Sequence, residues 1–164
     1  MLQIFRKNKK GFTLIELLVV IAVIGLLSSI VLVSMGPARK KAKDTKRMTD
    51  LKQISSAMEL CYGEPICNGG QDRYIATTAG VNAVTAIGTF MPKVPCDPLG
   101  CGAGYTWTAN APSPSYKYYC AYSKLEAETA DTFFCASNKG VMKYTYTPGS
   151  VPSNISCCNV NVTQ

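Results

Sequence analysis

An apolar segment of membrane length begins after Gly11, and it contains one carboxylate. Residues 12–33 read FTLIELLVVIAVIGLLSSIVLV, in which Glu16 is the single charged residue. As a helix, these 22 residues would extend about 33 Å at about 1.5 Å per residue, enough to cross the hydrocarbon core of a bilayer. The apolar core of a secretory signal peptide is shorter, at about 7–15 residues. We therefore predict a membrane-spanning helix, in which Glu16 requires a physical explanation.

The basic residues lie mainly on the two sides of this segment. The chain has a net charge of +7, and the amino-terminal cations are Arg6, Lys7, Lys9 and Lys10. Residues 39–52 add seven basic and two acidic residues, whereas the rest of the chain is close to neutral. This distribution is more typical of charges that flank a membrane span than of a nucleic-acid surface.

The basic run after the apolar segment could bind DNA or anionic lipid, or it could be a solvated helix face. Its six main cations are Arg39, Lys40, Lys41, Lys43, Lys46 and Arg47. No aromatic residues alternate with them, as binding of single-stranded nucleic acid favours. We predict a solvated face, with DNA binding kept as an alternative that is not predicted. The run also exceeds the four leader cations, against the tendency for positive charge to stay in the cytoplasm.

All the cysteines lie beyond the apolar segment, in a region that also holds eight of the nine prolines. The disulfide candidates are Cys61, Cys67, Cys96, Cys101, Cys120, Cys135, Cys157 and Cys158. This density indicates disulfides formed in an oxidising compartment, so we expect the carboxy-terminal part outside the cytoplasm. The sequence does not choose among the pairings, although neighbouring Cys157 and Cys158 should have different partners. Without histidine or a C-x-x-C motif, neither a metal site nor a dithiol oxidoreductase is predicted.

A second helical pattern follows the apolar segment, over residues 37–62. Apolar residues recur there at three- and four-residue spacing: Met48, Leu51, Ile54, Met58, Cys61 and Tyr62. The pattern predicts an amphipathic helix with one buried face. Gly63, followed by Pro65, predicts its end. Pro37 lacks a backbone N–H, so we expect a kink or an interruption where this helix meets the apolar one.

The remaining residues, 63–164, are predicted to form a head that contains short strands. Aromatic and β-branched residues indicate strands at 104–109, 116–123, 132–137 and 141–147, with hairpin turns at 110–115 and 138–140. Residues 66–98 show little periodicity. Four short strands cannot stand alone, so the amphipathic helix should cover them. The predicted fold class is α+β: a long amino-terminal helix packed on a small antiparallel sheet in a disulfide-rich head.

Glu16 can be explained in two ways. It could lie near the headgroups, where a helix amino terminus favours negative charge. However, ionisable residues in membrane segments usually have a partner, and residues 12–33 contain no Lys, Arg or His. Cleavage after Gly11 would create an α-ammonium group on Phe12 that could meet Glu16 of a neighbouring copy. A misplaced copy would leave both charges unpaired, at a cost of about 3–5 kcal/mol, so such a pair favours one register.

The sequence GFTLIE at residues 11–16, with the apolar residues behind it, resembles the class III signal of type IV pilins and the related pseudopilins. The shared features are a basic leader, Gly before the cut, Phe after it, and Glu five residues into the mature chain. The resemblance implies cleavage between Gly11 and Phe12 by a prepilin peptidase, followed by N-methylation of Phe12. It also implies that residues 12–62 form the core of a helical filament. Glu16 would then lie at the subunit contact with Thr13 beside it.

This resemblance implies an organisation and a set of partners. The expected segments are a cleaved leader at 1–11, a transmembrane and assembly helix at 12–36, an amphipathic helix at 37–62 and the head at 63–164. The partners would be further copies of the chain, the peptidase, the lipid bilayer, and a membrane assembly platform with a separate ATPase. The subunit would begin in the cytoplasmic membrane with its head outside, and end in an extracellular or periplasmic filament. No cofactor is predicted.

In the head, PCDPLG at residues 95–100, followed by Tyr105, resembles the P-x-D-P-x-G-x-x-Y turn of major pseudopilins, although an ordinary Asp-Pro turn explains it equally well. Two features depart from the family. Residues 12–36 lack the proline found in many pilins, which leaves Gly25 and Ser28-Ser29 as the weakest helical positions. The eight cysteines also exceed the usual one or two bridges.

Two other functions remain as alternatives to a pilus subunit. The first is a pseudopilin of a type II secretion-like system. The second is a disulfide-rich binding module that never polymerises and keeps residues 12–33 as an uncleaved anchor. An enzyme is not predicted, because the sequence offers no histidine, no nucleophile beside a base and no glycine-rich phosphate loop.

Overall fold

The computed structural model describes residues 11–68, 72–110, 117–128 and 131–145. Its elements are helix α1 (Leu14–Cys61), helix α2 (Pro65–Asn68), strand β1 (Gly80–Val81), a 3₁₀ turn (Cys101–Ala103), and strands β2 (Thr106–Trp107), β3 (Cys120–Lys124), β4 (Thr132–Ser137) and β5 (Gly140–Thr145). The strands form one antiparallel sheet in chain order. The predicted α+β class, with a long amino-terminal helix and a small antiparallel sheet, is confirmed. The chain divides into two compact units, Met1–Arg39 and Lys40–Gln164.

In the first unit, α1 is apolar and exposed throughout. Helix α1 is long enough and apolar enough to cross a membrane. Two serine hydroxyl groups of this unit bond to the helix itself: Ser29 Oγ donates to the Leu26 carbonyl at 2.7 Å, and Ser34 Oγ donates to that of Val31 at 3.0 Å. Such local bonds satisfy polar groups that would otherwise face hydrocarbon. Of the kink or interruption expected at Pro37, the interruption is absent, because α1 continues through this residue.

In the second unit, the later part of α1 buries the predicted face. Leu51, Ile54, Met58 and Cys61 are almost completely buried, and Met48 packs partly against them. They share one hydrophobic core with residues of the strands and loops, which include Tyr105, Trp107, Tyr119, Ala121, Phe134 and Ala136. The helix therefore covers one face of the sheet, as the short strands require.

Helix α1 ends at Cys61, as the glycine signal predicted. Gly63 has a φ of +77°, the left-handed conformation that commonly follows a helix. Tyr62 was predicted to be on the buried face but is partly exposed, because it lies just beyond the helix. Its ring packs against Tyr74, with the two ring centroids 4.7 Å apart.

The sheet agrees with the prediction best at its last hairpin. Strand β4 pairs with β5 along its whole length, and a turn at residues 138–139 joins the partners Ser137 and Gly140. Strand β2 is shorter than predicted, and β3 begins at Cys120. Strand β1 was not predicted, because two residues give no periodic signal. Most of the predicted turn at residues 110–115 lies outside the described residues. The same is true of position 116, the first of one predicted strand, and of positions 146 and 147, the last two of another.

Two disulfides join cysteines that are close in sequence. Cys61 at the end of α1 bonds to Cys67 in α2, with the Cα atoms 5.7 Å apart. Cys96 bonds to Cys101, with a Cα separation of 4.7 Å. Gly88 packs on the first bridge with a φ of +52°, where an added Cβ would lie 2.5 Å from Cys67 Sγ.

The other cysteines lie elsewhere. Cys120 and Cys135 are buried in a second cluster with Tyr122 and Met142. Alternation of side chains along the strands places this cluster on the sheet face opposite Ala121. Cys157 and Cys158 lie outside the described residues.

Candidate processing and assembly segment

The amino terminus of α1 is capped by a reciprocal pair of side chains. The Thr13 carbonyl accepts the first helical hydrogen bond, from Leu17 N at 3.3 Å, so Thr13 is the N-cap residue. Its Oγ1 accepts a hydrogen bond from Glu16 N at 3.3 Å. In return, Glu16 Oε2 accepts hydrogen bonds from Thr13 N at 2.9 Å and from Thr13 Oγ1 at 2.8 Å. This arrangement is a capping box, which satisfies donors that a helix start leaves free.

The role of Thr13 as a helix cap was not predicted. Residues 12–33 contain no cation that could neutralise Glu16. The structure instead provides a neutral partner three residues away. The available signal was the T-x-x-E spacing of residues 13–16, which is typical of a capping box. Glu16 therefore has a structural role in its own chain, independent of any contact with another copy.

The predicted cleavage bond lies immediately before this cap. Gly11 and Phe12 are exposed and non-helical, and α1 begins two residues after Phe12. A protease needs an extended and accessible backbone, which a helix does not provide. The capping box thus separates the exposed residues Gly11 and Phe12 from the apolar helix.

Glu16 lies among apolar side chains. Together with Phe12, Ile15, Val19 and Val20, it lines a shallow hollow on the surface of α1. In the described part of the chain, both hydrogen bonds that the Glu16 carboxylate accepts use Oε2. Its Oε1 therefore remains available to an external donor.

A second polar constellation lies in the head, centred on Arg47. Its Nε and Nη2 donate to the two carboxylate oxygens of Asp97 at 2.6 and 3.0 Å. Its Nη1 donates to Asp44 at 2.7 Å, and Nη2 also donates to Glu126. Arg47 is only 2% exposed. The basic run was predicted to be a solvated face; for Arg47 this prediction was wrong, because the residue continues the buried stripe at the three- and four-residue spacing of Leu51 and Ile54.

The carboxylates of this cluster also hold the surrounding loops. Asp44 accepts hydrogen bonds from the backbone N–H groups of Glu126 and Ala127 at 2.9 and 2.7 Å. Asp97 accepts one from Leu99 N at 2.8 Å. The cluster therefore connects α1 with the loop around Asp97 and with the loop that follows β3.

The pKa values of Arg47 and Asp97 favour the ionised forms of both residues. The hydrogen bonds to Asp97 raise the pKa of Arg47, and burial only partly opposes this effect. Burial disfavours the charged form of Asp97, but the hydrogen bonds from Arg47 and from Leu99 N outweigh it. The pKa of Asp97 therefore lies below its usual value.

The turn at residues 95–100 is thus more than an ordinary Asp-Pro turn. Asp97 is buried and bound to Arg47, and Tyr105 Oη donates to Asp50 Oδ2 at 2.7 Å. Burial and this bond to Asp50 raise the pKa of the Tyr105 hydroxyl. Within the described ranges, no group of three or more His, Cys, Asp or Glu residues is arranged to hold a metal ion.

We expect the Cys96–Cys101 disulfide to stabilise the cluster by holding the Asp97 turn. Replacing both cysteines with serine should lower the free energy of unfolding by about 2 kcal/mol from loop closure, with a further loss as Asp97 becomes mobile. Denaturant unfolding of the full chain in detergent measures this, with fluorescence of Trp107, the single tryptophan and a buried one, as the probe.

Cys61 and Cys67 provide the matched control, because their bridge closes a loop of similar length without a residue of the cluster. Their double serine variant should show the loop-closure loss together with the cost of a hydroxyl at buried Cys61, and this loss should stay the same when R47M is added. The loss from replacing Cys96 and Cys101 should instead become smaller in the R47M background; an unchanged loss there would contradict a specific role for the Cys96–Cys101 bridge.

Comparison with known proteins agrees with these features. Residues 6–32 match the family model described as the prokaryotic N-terminal methylation motif. The chain is 29% identical over 86 residues to the type II secretion system core protein G of Pectobacterium carotovorum subsp. carotovorum, covering 52% of this chain and 51% of the relative. It is 27% identical over 107 residues to the corresponding protein of Aeromonas hydrophila, covering 58% and 71%.

A further similarity is short but stronger. Over 39 residues the chain is 54% identical to the type IV wide pilus major component PilA4 of Thermus thermophilus, covering 24% of this chain and 30% of the relative. The chain thus spans about half the length of the first of these relatives and less of PilA4. No solved structure matches significantly. The amino-terminal methylation motif and these similarities thus relate the chain to type IV pilins and pseudopilins, in agreement with the resemblance seen at residues 11–16.

Proposed function

We propose that the chain is a structural subunit of a pilus-like filament, made as a membrane-inserted precursor and polymerised through α1 after cleavage at Gly11. The observation that carries this proposal is the arrangement of residues 11–16. An exposed, non-helical link precedes a capped helix whose Glu16 keeps one carboxylate oxygen available. Cleavage there converts a neutral amide into the ammonium group that such an oxygen can bind.

The exposed surface of α1 supports the same function. Large apolar side chains stay exposed along the first unit, among them Leu17, Ile21, Ile24, Leu27 and Ile30. An apolar surface of this extent requires a partner, because soluble monomeric proteins rarely leave so large an apolar surface exposed to water. A lipid bilayer covers it before assembly, and the helices of neighbouring copies cover it in a filament. This role needs a prepilin peptidase, an assembly platform and a separate ATPase.

We expect the mature protein to begin at Phe12 and to carry one methyl group on its α-nitrogen. Intact-mass and amino-terminal peptide mass spectrometry of protein from sheared filaments and from membranes measure this directly. Gly11→Val is the test variant, since a Cβ-branched residue at the cut should block cleavage and leave the precursor in the membrane. A mature chain that still begins at Met1 would contradict the proposal.

A pseudopilin of a type II secretion-like system is the second candidate. The turn at residues 95–100 favours it, together with the longer similarity to the Aeromonas hydrophila core protein G. Electron microscopy of cells at native expression distinguishes the two, because a pilus should form long filaments and a pseudopilus short ones. A membrane-anchored binding module would form no filament.

A further inference from the structure

Three consecutive cations follow the apolar part of α1. Arg39, Lys40 and Lys41, here called the collar, are all exposed. Among the ion pairs of the described residues, none includes a member of the collar. The collar is therefore a concentration of positive charge that the described structure leaves without a carboxylate.

The collar differs from the basic residues that follow it. Lys43 Nζ lies 3.9 Å from a carboxylate oxygen of Glu126, and Arg47 is buried among three carboxylates. These two cations belong to the head. The basic run thus consists of cations that neutralise the head and cations that are free to bind another partner.

The position of the collar along α1 matches the headgroup layer of a bilayer. Arg39 to Lys41 lie six to eight residues after Val33, the last residue of the apolar segment, which corresponds to about 9–12 Å of helix. The headgroup region adds about 5–8 Å on each side of the hydrocarbon core, and Lys and Arg side chains are long enough to reach back to it.

The angular arrangement also matches a layer of lipid. Successive helical residues are about 100° apart, so the three collar side chains point to three sides of α1. Headgroups surround a membrane helix on all sides and can meet each of them. A DNA duplex would instead contact cations on one face of the helix, so the arrangement favours lipid over DNA.

We propose that the collar binds the phosphate groups of anionic phospholipids in the leaflet on the head side of the membrane, and so fixes the depth of the subunit before assembly. The inference rests on the proposed membrane insertion. Juxtamembrane cations attract anionic lipid by about 1 kcal/mol each, and the attraction is screened by salt.

The experiment uses the full-length protein reconstituted into bilayers of mixed phosphatidylcholine and phosphatidylglycerol. Spin-labelled forms of the two lipids report the fraction of each that is immobilised at the protein. We expect phosphatidylglycerol to be preferred by about fivefold or more, and the preference to fall to near one in R39Q/K40Q/K41Q. About 1 M salt, with a Debye length of about 3 Å, should also abolish it.

The control variant K46Q/K52Q/K93Q removes the same number of charges from exposed positions of the second unit and should keep the preference. The inference would be overturned if the wild type immobilised the two lipids equally, or if the collar variant kept the preference for phosphatidylglycerol. It would also be overturned if the control variant lost this preference as completely as the collar variant. Collar-dependent binding of duplex DNA without a lipid preference would also overturn it. Vesicle flotation measures insertion separately: failure to insert contradicts the proposed function as well, whereas insertion without a preference contradicts this inference alone.

Discussion

Replacing Arg47 with methionine should lower the free energy of unfolding by about 3–5 kcal/mol. The substitution keeps an unbranched chain on the buried face of α1, but it leaves Asp44 and Asp97 without their shared cation. Removal of one partner from a buried ion pair costs this much, because the remaining charge stays desolvated. Chemical denaturation of the full-length protein in detergent, followed by Trp107 fluorescence, measures the loss.

Two further variants make this expectation specific. Lys46→Met removes a neighbouring cation that is exposed, so it should change stability by no more than about 0.5 kcal/mol. R47M/D97N removes one of the uncompensated charges and should recover part of the loss. A full additive loss in the double variant would show that Arg47 and Asp97 are not energetically coupled.

The same cluster predicts a dependence of stability on pH. Asp97 has a folded-state pKa below its ordinary value of about 3.9, so its contribution is complete above that value. As the pH falls below about 4, the unfolded chain takes up a proton that the folded chain resists, and stability decreases until the folded pKa is reached. In R47M, burial of Asp97 is opposed only by the hydrogen bond from Leu99 N and by the charge of Lys43, so the loss of stability in acid should become smaller than in the wild type. Unfolding curves at several acidic pH values, compared with Lys46→Met, test this.

The hydrophobic pattern was sufficient to predict much of this fold. Spacing of three and four residues located the buried face of α1, because burial of one helical face imposes that period. Gly63 located the end of the helix, because the left-handed conformation that commonly ends a helix is easiest for glycine. Strand β1 and the short β2 were beyond this approach, since two-residue strands are defined by their partners across the sheet and leave no period in sequence.

The polar cluster could be predicted less well, for a different physical reason. Arg47 and Asp97 are 50 residues apart, and only the tertiary fold brings them together. From sequence, a charged residue is predicted to face solvent, because burial of a charge is costly without a partner, and the partner was not visible in the local sequence. The periodicity already included position 47, so an arginine on an otherwise apolar stripe was the available indication. At the amino terminus the signal was local: the T-x-x-E spacing of residues 13–16 is typical of the cap that Thr13 forms.

Replacing Glu16 with glutamine should abolish filaments while it leaves membrane insertion intact. Glutamine keeps a side-chain oxygen that can accept the two hydrogen bonds from Thr13, so the helix start is preserved. What it removes is the negative charge that would bind the ammonium group of Phe12 on a neighbouring copy. Filament yield by shearing and electron microscopy, together with the mass of the membrane-bound subunit, measures both effects.

Thr13→Val provides the opposite substitution. It removes the capping hydroxyl but keeps the charge of Glu16, and loss of an N-cap costs about 1 kcal/mol of helix stability. We therefore expect Thr13→Val to reduce filament yield and Glu16→Gln to eliminate it. Normal filaments from Glu16→Gln would contradict the charge-pairing role, and their loss in Thr13→Val alone would assign the function of Glu16 to the cap. Because one carboxylate oxygen holds the helix start and the other is available to a second chain, the two variants separate contributions that Glu16→Ala would remove together.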